Sequence, residues 1–306
     1  MPTGAIYILT QNERYVDLAL QSVASLKRVM PDLPVTVFSQ FPMSSPLVER
    51  VVLIQPTGDG FYDKTRLMRD SPYDRTVFID ADIFVVEPFP ELFCLLDRFD
   101  CAATHEEYVN TDWFNRYPRG DIPSSFPEFN TGVLLFKRST QMNAVLKEWE
   151  ALYAQYLKEK PGQQIGDQPF FRAALYCSEA RVATLTREYN CKFRGQGYLN
   201  GLVKVLHGHV DFQFDSRQLG QAIRALNASQ KPRVYIAGEV CDQKLTGRLV
   251  GMRKARRVGT FPIYPGSLLF RRAKRLHTII KEQGLKKSLA KLLPRNGGLG
   301  WLKADN

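Results

Sequence analysis

Two carboxylates set two positions apart, Asp80 and Asp82, close the run Thr76-Val-Phe-Ile-Asp80-Ala-Asp82. Successive strand residues point to opposite faces, so the pair is expected on one side with Ala81 between its members. Converging carboxylates repel unless a cation sits between them, and hard oxygen ligands select Mg²⁺ or Mn²⁺. An ion held so at a strand's carboxyl end is suited to gripping a phosphate. The plainer alternative has one aspartate capping the next turn and the other solvated. His207 and His209 follow the apolar run that begins at Val203. Either can add an imidazole ligand, which Mn²⁺ tolerates better than Mg²⁺, or stay a histidine bonded to a backbone carbonyl.

Asp167 and Gln168 open a helical stretch, where an aspartate is often only an N-cap. After the first apolar run comes the polar turn Thr10-Gln-Asn12-Glu-Arg-Tyr15, whose tyrosine is placed to stack on a base or to pack on its own helix. Between Thr104 and Asn130 the periodicity breaks into a polar, aromatic stretch. A connection of that length is usually functional or disordered, and Trp113, Phe114 and Tyr117 there can form a sugar platform or pin the loop.

The elements that must position these groups follow from hydrophobic spacing. Strands are expected at Ala5 to Leu9, Val35 to Ser39, Val51 to Gln55, Thr76 to Asp80, Cys101 to Thr104 and Gly132 to Lys137. Helices are expected along Val16, Leu20, Val23, Leu26 (or Lys27) and Met30, around Lys64 to Arg69, near Glu91 to Arg98, and from Thr140 to Lys158. Such alternation gives an α/β fold with a largely parallel sheet, whose ligands bind beyond the carboxyl ends of the strands.

The chain has 306 residues, 44% hydrophobic and 24% charged, enough for a large domain with a full core and incompatible with overall disorder. Its longest apolar runs are far short of a bilayer span, and the N-terminus has no basic region of the signal-peptide kind. The five cysteines lack CxxC pairing and sit among apolar neighbours, which predicts buried thiols in a reducing cytosol. The net charge of +11 is concentrated. Residues 248–295 hold 14 Lys/Arg against one acid, Glu282, while residues 1–247 are close to neutral. Ser267 can cap a helix there, with Leu269, Ala273, Leu276 and Ile280 on one face and Arg271, Lys274, Arg275 and Lys281 opposite, and Leu285, Leu289 and Leu292 resume the stripe. A basic amphipathic helix of this kind lies on an anionic membrane surface; packing of its stripe on the catalytic domain is the alternative.

The order of motifs resembles the GT-A glycosyltransferases, and most closely the retaining, family 8-like group that includes glycogenin and the bacterial lipopolysaccharide galactosyl- and glucosyltransferases. Lys64 and Arg66 precede Asp80-Ala-Asp82. Phe129-Asn130-Thr-Gly132 turns into an apolar strand. Gly166-Asp167-Gln168 opens a helix, Tyr189-Asn190 follows, and His207 ends a strand. The resemblance implies a GT-A catalytic domain over 1–212 and an extension over 213–306. It implies that Asp80, Asp82 and His207 hold Mn²⁺ (or Mg²⁺), and that Lys64 and Asp80 contact a nucleotide-sugar donor, first among them a UDP-sugar, with Thr10, Asn12 and Tyr15 beside the base. Asn130, Asp167 and Gln168 would serve the reacting carbon of the sugar, and the acceptor would be a glycan or lipid-linked sugar at the cytoplasmic face of a membrane. One departure is that the relatives' Lys-containing signature after the histidine is replaced by His207-Gly-His209-Val-Asp211, so that Arg194, Arg217 or a tail residue is left to hold the diphosphate.

Two other readings remain open on sequence. Hydrophobic-Asp-x-Asp also opens the active site of haloacid-dehalogenase phosphatases, but there the motif lies on the first strand and a second acidic pair follows. A nucleic-acid-binding protein would use the basic tail, yet that tail has almost no interleaved aromatic residues and no base-reading module before it, so no specific nucleic acid is expected.

Overall fold

The computed structural model describes residues 1–106, 122–163, 165–192, 195–208, 216–236 and 239–241. Trp113, Phe114, Tyr117, Arg194, His209 and the basic segment 248–295 lie outside the described residues, so the expectations placed on them stay expectations. Seven strands form the main sheet in the order β3-β2-β1-β4-β7-β6-β8. These are β1 (Thr3–Leu9), β2 (Val35–Ser39), β3 (Arg50–Leu53), β4 (Arg75–Ile79), β6 (Cys101–His105), β7 (Phe129–Lys137) and β8 (Val182–Leu185). All pairings are parallel except the two made by β7, which runs against both β4 and β6. The sheet is thus mixed and largely parallel, as expected.

Strand alternation divides the core between the two faces. Ala5, Tyr7, Leu9, Val35, Val37, Val77, Ile79, Val133 and Leu135 face one way, in one cluster with Ala19, Val23 and Leu26 of α1 (Arg14–Val29) and Leu92 of the short α3 (Leu92–Leu95). Ile6, Phe38, Phe78, Leu134 and Phe136 face the other, against Met142, Leu146, Trp149 and Tyr153 of α4 (Thr140–Glu159) and Phe170 and Phe171 of α5 (Gln168–Tyr176). In α1 the buried stripe runs through Leu18, Ala19, Ser22, Val23, Ser25 and Leu26, displaced from the expected one: Leu20 is only half-buried. Ala19, Ser22 and Ser25 are small, and a reading based on large apolar side chains passes over them.

Two further three-stranded sheets complete the described chain. One joins β5 (Ile83–Val85), β11 (Val205–His207) and β9 (Cys191–Lys192); the other joins β10 (Gln196–Leu199), β12 (Arg233–Ile236) and β13 (Glu239–Cys241). Cys191, Leu199, Val203, Leu206, Leu226 and Tyr235 pack together beneath them, Leu226 ending α6 (Ser216–Leu226). The chain from 216 to 241 therefore shares a core with strands that precede residue 212. Two of the thiols expected in the interior, Cys94 and Cys177, are exposed, whereas Cys101 and Cys191 are buried. Among the described residues no helix is long and apolar enough to cross a membrane.

Helix ends place the side chains that matter. Asp59 caps α2 (Gly60–Leu67), its Oδ1 accepting from the Tyr62 N–H at 2.9 Å, and the helix carries Lys64 inward. Capping of this kind contributes about 1 kcal/mol. Ser139 does the same for α4. Buried Trp149 and Tyr153 of α4 donate to the carbonyls of Asp167 and Ile165, at 3.0 and 2.7 Å, and so pin the approach to α5.

Candidate active site

Asp80 and Asp82 do not share a strand face. β4 ends at Ile79, and Asp80-Ala81-Asp82 forms the turn that carries the chain from the main sheet into β5 of a smaller one. Two anchors fix this turn: the Asp80 N–H donates to the Gly132 carbonyl at 2.9 Å, and the Gly208 N–H to the Asp82 carbonyl at 3.3 Å. His207 arrives because β11 pairs antiparallel with β5, setting His207 against Ile83. The residue is 8% exposed, and its Nε2 lies 3.5 Å from Asp82 Oδ1. Ligand atoms of Asp80, Asp82 and His207 lie within 4.8 Å of one another.

Gly132 makes this convergence possible. A Cβ there would meet His207 Cε1 at 2.4 Å and Asp80 Oδ2 at 2.8 Å, inside any real contact. The expected turn at Asn130-Thr-Gly132 is instead part of β7 itself, whose reversed direction sets its first residues beside the end of β4.

The charges are poised for a cation. Burial pushes the Asp80 carboxyl above its ordinary range; the Lys64 charge opposes this, and the nearby Asp82 adds to the rise. Two carboxylates and an imidazole suit Mn²⁺, and the recess fits a divalent ion. His207 is lowered by burial but raised more by the Asp82 and Asp80 charges, so its pKa ends above the usual value. Lys64, 6% exposed, puts its Nζ 3.3 Å from Asp80 Oδ1, 3.5 Å from Asp167 Oδ2 and 3.1 Å from Thr131 Oγ1, with the Phe78 ring centroid at 4.8 Å. Burial would discharge the ammonium, yet Asp167 and Asp80 outweigh it and raise its pKa. Arg66, beside it in sequence, turns away to Asp63 and the Gln55 carbonyl.

Facing the carboxylates is a wall of amides. Asp167 stands at the N-cap position of α5, but its side chain makes no cap bond and instead accepts from Thr131 Oγ1 at 2.7 Å. Gln168 Nε2 donates to Glu128 Oε1 at 2.9 Å and Glu106 Oε2 at 3.2 Å, while its Oε1 accepts from Asn130 Nδ2 at 3.1 Å. Asn130 Nδ2 also donates to Glu106 Oε2, at 2.8 Å. Lys192 donates to Glu106 Oε1 at 2.7 Å. Burial raises the Glu128 pKa.

The two walls enclose a cavity of about 460 Å³, in the size range of small-ligand sites. Its lining includes Thr10, Tyr15, Lys64, Asp80, Asp82, Asn130, Asp167, Gln168 and His207 from the sequence reading. Asn12 is not part of it: its Oδ1 accepts from the Arg14 N–H at 3.0 Å and steadies the start of α1. Of the motif pair, Asn190 is buried behind His207, while Tyr189 points to Glu91. Sequence reasoning missed Lys192, Gln11 and Phe61 in the wall, and Glu106 and Glu128 behind it. Gln11, at φ 71°, sits in the left-handed region, which nothing in its residue type announces.

The sequence model of the family described as "Glycosyl transferase family 8" matches residues 62–210, the stretch that supplies Lys64, both aspartates, the amide wall and His207. Residues 62–210 are a glycosyltransferase family 8 region. The protein is accordingly an enzyme that transfers a sugar from a nucleotide sugar, and reading Asp80 as a phosphatase nucleophile falls away. Solved structures similar to this glycosyltransferase include mouse xyloside xylosyltransferase 1 in its apo form, with 16% identity, 70% of this chain and 100% of that one covered, and a TM-score of 0.46. The galactosyltransferase LgtC in complex with donor and acceptor sugar analogs has 16% identity, coverages of 61% and 74%, and a TM-score of 0.41. The glycosyltransferase GlyE of Streptococcus pneumoniae TIGR4 has 14% identity, coverages of 91% and 74%, and a TM-score of 0.49. No curated protein matches the chain.

Proposed function

We propose that the enzyme is a divalent-metal-dependent hexosyltransferase using a UDP-sugar, acting with retention at the anomeric carbon on a glycan or lipid-linked acceptor. The observation that carries this reading is the convergence of Asp80, Asp82 and His207 on one side of a cavity whose other side bears Asn130, Asp167 and Gln168. Mn²⁺ or Mg²⁺ held by the first three would supply Lewis-acid stabilisation of the leaving diphosphate. Lys64 keeps its charge between Asp80 and Asp167, so that metal wall and amide wall share one cation. The oxygens of Gln168 and Asp167 are suited to stabilising positive charge on a stretched sugar. Thr10 and Tyr15 bound the cavity at the end of β1, where a base can stack on the tyrosine.

Tests begin with a thermal-shift panel of UDP-, GDP- and CMP-sugars with and without Mn²⁺, since a ligand that binds the native state raises its melting temperature. The reading expects the largest shift from a UDP-sugar with Mn²⁺; equal shifts with and without the metal would overturn it.

The sequence of residues 248–295 supports a second element of the proposal. Fourteen basic residues beside an apolar stripe suit an anionic leaflet, each contributing about 1 kcal/mol near such a surface, and would hold the enzyme at the cytoplasmic face near a lipid-linked acceptor. A chain ending near Gly247 should lose binding to anionic liposomes and keep donor hydrolysis; equal binding by both forms would sink the idea.

A further inference from the structure

We infer that Asn190 is a positioning residue of the metal site, fixing His207 in the tautomer that leaves Nε2 bare toward Asp80 and Asp82. The inference rests on the metal-site reading above and concerns a residue that lies behind His207 and outside the cavity lining.

The starting point is a backbone N–H, which can only donate. The Gly132 N–H lies 3.0 Å from Asn130 Oδ1, and a flipped Asn130 would set an amide NH₂ against it. Asn130 is therefore oriented with its oxygen toward Gly132 and its nitrogen toward the Glu106 carboxylate at 2.8 Å, and both contacts demand the same choice. Asn190 approaches that same Asn130 oxygen at 2.8 Å, so the atom it presents must be Nδ2. Its Oδ1 then faces His207, 2.8 Å from Nδ1. An amide oxygen only accepts, hence His207 Nδ1 carries the proton and Nε2, 3.5 Å from Asp82 Oδ1, keeps its lone pair for the ion.

The chain of orientations contains no free choice between Gly132 and His207. Asn190 has no solvent exposure, Asn130 is 3% exposed and His207 8%. Water cannot readily take the place of a lost partner. Gly132 acts twice, because the position that donates the first hydrogen bond is also the one whose missing side chain makes room for the His207 ring. Partners that orient a metal-bound imidazole through its second nitrogen typically change metal affinity 10–100-fold when removed.

The experiment uses the full chain with ¹⁵N-labelled histidine, of which there are four, His207 being assigned by its loss in His207→Ala. In the metal-free wild type at alkaline pH, long-range ¹H–¹⁵N spectra should show the His207 proton on Nδ1; a proton on Nε2 overturns the inference without any variant having to fold. Mn²⁺ titrations followed by EPR, with UDP present, supply the second readout. Asn190→Leu should weaken Mn²⁺ by about 10–100-fold and let the tautomers mix. Asn190→Asp retains an acceptor for Nδ1–H but sets a carboxylate oxygen against Asn130 Oδ1 in place of the NH₂ donor, so it should keep the Nδ1 signal while recovering only part of the affinity, and loss of that signal in a folded Asn190→Asp would refute the inference. Unchanged Mn²⁺ affinity in Asn190→Leu, with His207→Ala strongly weakened, would refute the role of Asn190 alone. Unchanged affinity in His207→Ala would refute the metal site itself.

Discussion

The metal wall and the amide wall of the cavity are built on opposite principles. Asp80 and Asp82 come from one turn, and His207, distant in sequence, is brought to them by a single strand pairing, so one local motif and one backbone register set the ligands. The amide wall is assembled from Glu106, Glu128, Asn130, Gln168 and Lys192, whose mutual hydrogen bonds span 24 to 86 positions of the chain. A site that must concentrate charge can rest on a two-carboxylate turn and one strand register. One that must orient neutral amides needs partners from several elements, because an amide's direction is set only by what it donates to and accepts from.

The largest effect expected from this contrast is on the metal wall. Asp80→Ala or Asp82→Ala should lower transfer roughly a thousandfold or more, the scale of several kcal/mol of lost Lewis-acid stabilisation. Stability should not follow activity. The folded pKa of Asp80 is raised, so the folded state binds more protons than the unfolded one above the ordinary aspartate range, and its ionisation there costs stability. Metal-free Asp80→Asn should therefore melt at or above the wild-type temperature at neutral pH. Calorimetry showing a large fall would mean that the carboxylate supports the fold.

Gln168→Ala should sharpen the comparison from the other side. It leaves the metal ligands untouched, so kcat should drop by roughly 10²–10³, the cost of losing one preorganised group, while Mn²⁺ affinity stays within a few-fold of wild type. Gln168→Glu should be worse in stability than Gln168→Ala, because a third carboxyl would meet Glu106 and Glu128 where an NH₂ now donates to both. Parallel loss of metal affinity in the alanine variant would show that the two walls are one unit.

Lys64 belongs to both walls. Lys64→Met should destabilise the metal-free protein by about 3 kcal/mol, since it leaves Asp167, 4% exposed in its side chain, facing Asp80 without a cation. Saturating Mn²⁺ should restore part of that loss. Equal destabilisation with and without the ion would separate Lys64 from the metal site.

How much of this was legible in the sequence follows the same division. The strand before Asp80 and the one ending at His207 show as apolar runs, Lys64 lies in a stretch read as helical, and the order of the motifs picked out their residues. Their geometry was not: Asp80 and Asp82 meet through a turn between sheets, which alternation along a single strand does not anticipate. Asn130, Asp167 and Gln168 were visible as a motif, but Glu106 and Glu128 were not, since a lone glutamate beside a loop has no period and its partner amide is distant in sequence. Asn12 shows the reverse error, a polar residue at the right strand end whose side chain is taken up by its own helix.

The smallest effect is expected outside both walls. Asp100 accepts from the Arg181 N–H at 2.9 Å and from Ser139 Oγ at 3.0 Å, and with Lys137 and Arg181 nearby these bonds outweigh burial and lower its pKa. A lowered aspartate contributes stability above its unfolded pKa, near 3.9, that is lost as pH falls through the folded value. Asp100→Asn should cost about 1–2 kcal/mol at neutral pH, with the difference from wild type shrinking in acid and transfer per folded molecule unchanged.

The central claim, that Asp80, Asp82 and His207 jointly hold the ion serving the nucleotide sugar, is tested most directly by crystals soaked with Mn²⁺ and UDP and measured at the manganese absorption edge. The account predicts a single anomalous peak bounded by the two carboxylates and His207 Nε2, with the diphosphate on its open side; UDP bound in the cavity with no peak there, or a peak that excludes His207, would contradict it.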